Sequence, residues 1–138
     1  MKKILNTLFL LSFMLPAFTQ ENKQLITVTK IAESTQSWNG EKLPSYPTGQ
    51  PKITVLKYII PPHTVLALHK HLVINAGVVL KGTLTVVDDK ENKLELKTGD
   101  SLIELVNTFH YGENKGDDPV EIMVFYAGVE GMENTVKK

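Results

Sequence analysis

His69 and His71 stand one residue apart, and a third histidine, His110, lies further along the chain. The chain holds four histidines in all. The pair ends the stretch 64–71, Thr-Val-Leu-Ala-Leu-His-Lys-His, whose β-branched and apolar residues predict a strand. Strand side chains alternate faces, so His-x-His points both imidazoles the same way. Imidazole is the commonest side-chain ligand for the mid-row divalent metals. A lone strand histidine is more often a surface or satisfied core residue. Three of them in two strand-like segments, which would have to meet in space, point to a metal pocket inside a β-barrel. Without a metal, the same cluster suits an anionic ligand or acid–base chemistry near neutral pH.

The elements that would position these imidazoles are short strands. Residues 25–31 read as a strand by β-branched content and alternation. Residues 32–51 are a polar connection with three prolines and two glycines, where no regular structure is expected. Strands follow at 52–60, ended by Pro61-Pro62, and at 64–70, 76–81, 83–88 and 94–97. Further strands are expected at 101–106, 109–112 and 120–127, and a loose polar tail from Gly128. Val78, Leu80, Leu84, Val86, Leu102, Ile122 and Val124 are placed in the core by alternation. No helix-period segment of useful length is present. Many short strands with turn signals between them predict an all-β sandwich or barrel.

At 138 residues the chain is long enough for one domain with a real core. Its formal net charge is zero and its basic residues are all lysine. A nucleic-acid binder would carry a basic surplus, usually with arginine, so that class is set aside. Residues 1–19 differ from the rest. A positive start, Met1-Lys2-Lys3, leads into an apolar run from Ile4 to Phe18 and then a polar stretch. This is the layout of a secretory signal peptide, with Ala17 and Thr19 suited to the positions before a cut at Gln20. The run is short for a bilayer span and contains Pro16, so no stable membrane anchor is expected after cleavage. A periplasmic or secreted protein follows from that reading. With no cysteine there is neither a disulfide nor a lipid-attachment residue. The expected organisation is a signal peptide at 1–19, a strand and loop at 20–51, a barrel at 52–127 and a tail at 128–138.

The two histidine segments carry fixed spacings. His63 is followed after five residues by His69-Lys70-His71, then three residues, Asn75, six residues and Gly82. Gly99 is followed after five residues by Leu105-Val106-Asn107, then two residues, His110, three residues and Asn114. This pair of motifs resembles the cupin superfamily over residues 52–127, with the patterns G-x5-H-x-H-x3,4-E-x6-G and G-x5-P-x-G-x2-H-x3-N. The resemblance implies a cupin-type jelly-roll β-barrel with one divalent metal, Fe, Mn, Ni or Zn, held by His69, His71 and His110. It also implies a small-molecule substrate or ligand and a homodimer.

The departures are informative. His63 stands at the first glycine position beside Pro61-Pro62, which suits a turn. Leu105 and Asn107 replace a proline and a glycine, and asparagine tolerates the left-handed backbone that glycine usually supplies. Asn75 replaces the family's glutamate ligand, so the fourth donor is either a neutral amide oxygen at Asn75 or absent. Glu104 stands where the family pattern has an inward apolar residue. A carboxylate among apolar neighbours is costly unless paired or coordinating. Glu104 therefore faces either the cavity, as ligand, partner of a ligand or general base, or solvent on an edge strand. Trp38 and Tyr46 either lid the barrel mouth or anchor the long loop to its outside.

Three functions remain open from sequence. One is a metal-dependent enzyme with dioxygenase, isomerase or hydrolase chemistry at the three histidines and Glu104. Another is a non-catalytic periplasmic or extracellular module for a sugar or small organic anion. The last is a structural cupin that works by oligomerising, with residues 25–31 crossing to a partner.

Overall fold

The computed structural model describes residues 25–138; the expected signal segment and residues 20–24 lie outside them. Ten strands account for all the regular structure described: β1 (Pro51–Ile60), β2 (Thr64–Val65), β3 (His69–His71), β4 (Ile74–Lys81), β5 (Thr83–Asp88), β6 (Lys93–Lys97), β7 (Ser101–Ile103), β8 (His110–Asn114), β9 (Val120–Val129) and β10 (Thr135–Lys137). One sheet runs β1-β9-β4-β7. The other runs β10-β3-β8-β5-β6, with β2 also paired to β8. The ladders within both sheets are antiparallel. Two such sheets closing over one core form the expected cupin jelly roll.

The core between the sheets is built from alternate residues of each long strand. Val73 and Val79 come from the β4 region, Leu84 and Val86 from β5, and Ile122, Val124 and Tyr126 from β9. Full burial of each such aliphatic side chain contributes ~2 kcal/mol relative to exposure. Tight turns close the ladders. Gly82 joins β4 to β5 at φ +83°, where a Cβ would meet Val120 and the Pro119 carbonyl. Asp88 closes the β5–β6 turn by accepting from the Lys90 and Asn92 backbone amides and the Asn92 side chain.

Five expectations need correction. Residues 25–31 form no strand; Leu25, Ile26 and Val28 are exposed and no ladder receives them. Propensity favours a strand there, but a strand exists only where a neighbouring edge accepts its hydrogen bonds. The tail is not loose. β9 continues to Val129, a turn at Gly131 with φ +80° reverses the chain, and β10 pairs with β3. The expected strand 64–70 is broken between β2 and β3. Val78 and Leu80 are not core; Val79 is, because β4 keeps the inward period of Val73, Asn75 and Gly77. The lid reading of Trp38 and Tyr46 also fails. The Trp38 amide donates to the Ile103 carbonyl at 2.9 Å and its ring packs on the flank of the core, while Tyr46 is exposed.

Candidate metal centre

Strand pairing brings the three histidines together. β3 holds His69 and His71 on one face, and β8 places His110 directly opposite His69 in an antiparallel register. The ring centroids are 5.1 Å apart for His69–His71, 4.6 Å for His69–His110 and 5.0 Å for His71–His110. One ligand nitrogen from each lies within 4.8 Å of the other two. Three donors at that separation surround a point that one ion could fill.

The outer nitrogens are already committed. His69 Nδ1 donates to the Ala67 carbonyl at 2.8 Å and His110 Nδ1 to the Thr108 carbonyl at 2.9 Å. A carbonyl only accepts, so both rings carry the proton on Nδ1 and present a bare Nε2. His71 Nδ1 meets the Thr135 hydroxyl at 2.9 Å. This backing of each ligand ring by a second group is the usual support of a metal-binding imidazole. His110 Nε2 is buried with no hydrogen-bond partner. An orphaned buried lone pair costs free energy, and a cation is the partner that the geometry suits.

Burial also keeps the rings neutral. It lowers the His71 pKa to about 3, with the His110 and His69 charges adding to the effect. Burial lowers His69 and His110 as well, although the Ala67 and Thr108 carbonyls oppose it. Neutral imidazole is the form that binds metal, so at neutral pH no proton need be displaced.

Glu104 faces the same cavity. Leu102 and Glu104 share the inward face by alternation from β7. Its backbone is held from both sides: the Glu104 amide donates to the Asn75 carbonyl at 3.1 Å, and the Ser37 hydroxyl donates to the Glu104 carbonyl at 2.8 Å. The long polar loop thus fixes the residue that sequence singled out. Glu104 Oε2 lies 3.5 Å from His110 Nε2, and neither atom has a hydrogen-bond partner. Burial raises the Glu104 pKa to about 7, against the pull of His69. Burial thus favours the uncharged form of both partners in this contact.

Asn75 is buried on the inner face of β4, with its Nδ2 donating to the Val73 carbonyl at 3.3 Å and its Oδ1 unpartnered. It does not line the cavity surface as Glu104 does. Asn107 takes φ +62° and donates its amide to the His71 carbonyl at 2.8 Å, so asparagine does make the left-handed turn. His63 also sits in the left-handed region, at φ +51°, with its ring beside Asp117 on the surface.

The barrel cavity measures about 390 Å³. Its polar side carries the histidines, Glu104, Thr135, Lys137 and the hydroxyl pair Tyr58–Tyr126, 3.1 Å apart. Burial, then the Tyr58 hydroxyl, push the Tyr126 hydroxyl pKa up. Tyr126 packs edge-on against His71, with centroids 5.5 Å apart. Thr135 and Lys137 fall in the stretch that the sequence presents as a loose tail, so sequence reasoning missed both. Thr135→Val removes the hydroxyl behind His71. Zinc affinity is expected to fall about ten- to a hundredfold, as measured by competition with a chelating dye.

The sequence from residue 56 to 126 matches the cupin domain family. The chain is a cupin. No curated protein matches the sequence. Among solved structures this cupin is similar to the DMSP lyase DddQ from Ruegeria pomeroyi, with a TM-score of 0.55 at 16% identity, covering 62% of this chain and 43% of that one. It is similar to the oxalate decarboxylase of Lactobacillus farciminis in a formate complex, with a TM-score of 0.54 at 18% identity over 62% and 26% of the two chains. An oxalate oxidase in complex with the substrate analogue glycolate gives 0.53 at 16% identity over 62% and 45%. The cupin described here spans less than half the length of each of these chains, and the likeness is one of fold.

Proposed function

We propose that this cupin binds one divalent metal ion, Fe, Mn, Ni or Zn, through Nε2 of His69, His71 and His110 and acts on a small organic molecule in the barrel. The convergence of three neutral imidazoles, each backed at Nδ1, carries this reading. A bound ion would supply Lewis acidity at positions the three histidines leave open. The residues of the chain do the rest. Glu104 exchanges a proton at Oε2 near neutral pH and is positioned as general acid or base toward a ligand in the cavity. Asn75, buried with its Oδ1 unpartnered but off the cavity surface, would be a weaker oxygen donor to the same ion than the carboxylate the cupin pattern has there. Leu66, Leu84, Val86, Ile122 and Val124 give the cavity apolar walls against which the body of a small organic molecule can pack. The structurally similar enzymes, a DMSP lyase and an oxalate decarboxylase among them, support a small-molecule substrate.

The test is a thermal melt of the purified protein with each of the four ions. A rise in midpoint for wild type that vanishes in His69→Ala/His71→Ala is expected; identical shifts in both proteins would defeat the reading. The mainly apolar cavity favours a second reading, a non-catalytic small-molecule binding module. A midpoint that responds to organic ligands and to no metal would mark that case.

Two further parts belong to the proposal. Residues 1–19 direct export, leaving the protein periplasmic or secreted; the mass of the mature chain should begin at Gln20. The protein is also a homodimer. Ile53, Val55, Ile59 and Phe125 form an exposed apolar patch on the outer face of the β1–β9 sheet, which a second copy would cover. Sedimentation at the dimer mass is expected.

A further inference from the structure

We infer that Lys137 docks the carboxylate of the ligand, so that the cavity takes a small monocarboxylate with an apolar body. The inference rests on the reading of the cavity as the working site and adds the substrate class and the residue that selects it.

β10 supplies the observation. Its antiparallel register with β3 sets Thr135 opposite His71 and Lys137 opposite His69. Residues opposite one another in a sheet share a face, so Lys137 stands on the face of the imidazoles. It borders the cavity and is its one basic residue of lysine or arginine type. Its backbone is fixed there, because the next amide, that of Lys138, donates to the Leu68 carbonyl at 3.0 Å. Lys137 is exposed at the cavity mouth, within reach of a ligand entering from solvent. Among the described residues Lys137 forms no ion pair, so its ammonium is not engaged by a carboxylate of the chain. Glu104, the one acidic residue lining the same cavity, is buried beside His110 rather than at the exposed rim where Lys137 stands.

The rest of the wall sets the body of the ligand. Leu66, Leu84, Val86, Ile122 and Val124 line the cavity and offer no hydrogen-bonding side chain. A second charge placed against these walls would be desolvated without a partner. A cation at the mouth and these apolar walls match one anionic end and one apolar end. Inorganic phosphate would meet the same ammonium but has no apolar part to place against these walls. A volume of about 390 Å³ lies at the small end of ligand sites, which limits the body to a few carbons.

The test is calorimetric titration of the zinc-loaded protein with 3-methylbutanoate, with its neutral isostere 3-methylbutanamide, and with inorganic phosphate. Wild type, Lys137→Gln and Lys137→Arg are compared, and zinc content is measured on each. The carboxylate is expected to bind at least about tenfold more tightly than the amide or phosphate, the value of one charge-assisted contact. Lys137→Gln should lose about that factor for the carboxylate and none of its zinc, and Lys137→Arg should restore most of it. Equal binding of acid and amide, phosphate binding as tight as the acid, no binding of the acid, or an unchanged affinity in Lys137→Gln would overturn the inference. The metal reading fails separately: wild type that holds no zinc defeats it. The same titrations on chelator-treated protein then decide the role of Lys137 alone.

Discussion

In the metal-free protein, stability is expected to rise as the pH rises from about 3 to 6.5. His71 drives the effect, because burial lowers its pKa from 6.5 to about 3. A group with a depressed folded-state pKa contributes stability that is complete above its unfolded value and is lost as the pH falls toward the folded one. The shift sets an upper bound of ~5 kcal/mol, and His69 and His110 add in the same direction. Glu104 works the other way. Its pKa is raised from 4.5 to about 7, so its contribution is complete below 4.5 and disappears as the pH climbs through 7. The net slope should therefore be steepest between about 3 and 4.5 and shallower above. Glu104→Gln should steepen the upper part, and His71→Gln should flatten the whole profile. Urea midpoints from pH 3.5 to 7.5 measure this. A flat wild-type profile would show that the histidines are not buried in the neutral form.

Adjacent residues on β9 should differ sharply in what they cost to remove. Tyr126 faces inward, is 2% exposed and packs against His71, whereas Phe125 is 45% exposed on the outer face. Tyr126→Ala deletes a ring from a packed core and is expected to cost ~3–5 kcal/mol, with loss of metal affinity as the His71 ring loses its neighbour. Phe125→Ala should cost about 1 kcal/mol or less in the monomer. The comparison reads the register of the sheet directly, because a one-residue slip would exchange the two faces. Equal costs by denaturant titration would mean that the inner and outer faces are misassigned.

The histidine site was legible because its geometry is local. A period of two puts His69 and His71 on one face, and a fixed spacing brings His110 to the strand beside them. The backbone requirement at Asn107 was legible for the same reason, since few residues take its left-handed conformation. The inward place of Glu104 could be weighed from its apolar neighbours but not decided. What decides it is the pairing of β7 with β4 and the clasp from Ser37, both long-range.

β10 was missed because three residues, Thr-Val-Lys, are too few to show a period. They form a strand because β3 offers an open edge. Thr135 and Lys137 were lost with it. The error at Val78 and Leu80 has a different origin. Both faces of β4 carry apolar residues, one toward the core and one toward the outside of the sheet, so hydrophobic pattern alone cannot choose between them. Counting in twos from His71 through Val73 and Asn75 to Val79 would have chosen correctly. Residues 25–31 show the converse failure, a strand-forming sequence with no edge to join.

The most direct measurement is the metal content of the mature protein, residues 20–138, purified without chelator or an affinity tag. Elemental analysis should find close to one equivalent of a single divalent metal, and almost none in His69→Ala/His71→Ala. A wild-type protein that holds no metal and takes up none of Fe, Mn, Ni or Zn would contradict the assignment of the three histidines as a metal centre. So would equal metal in the two proteins.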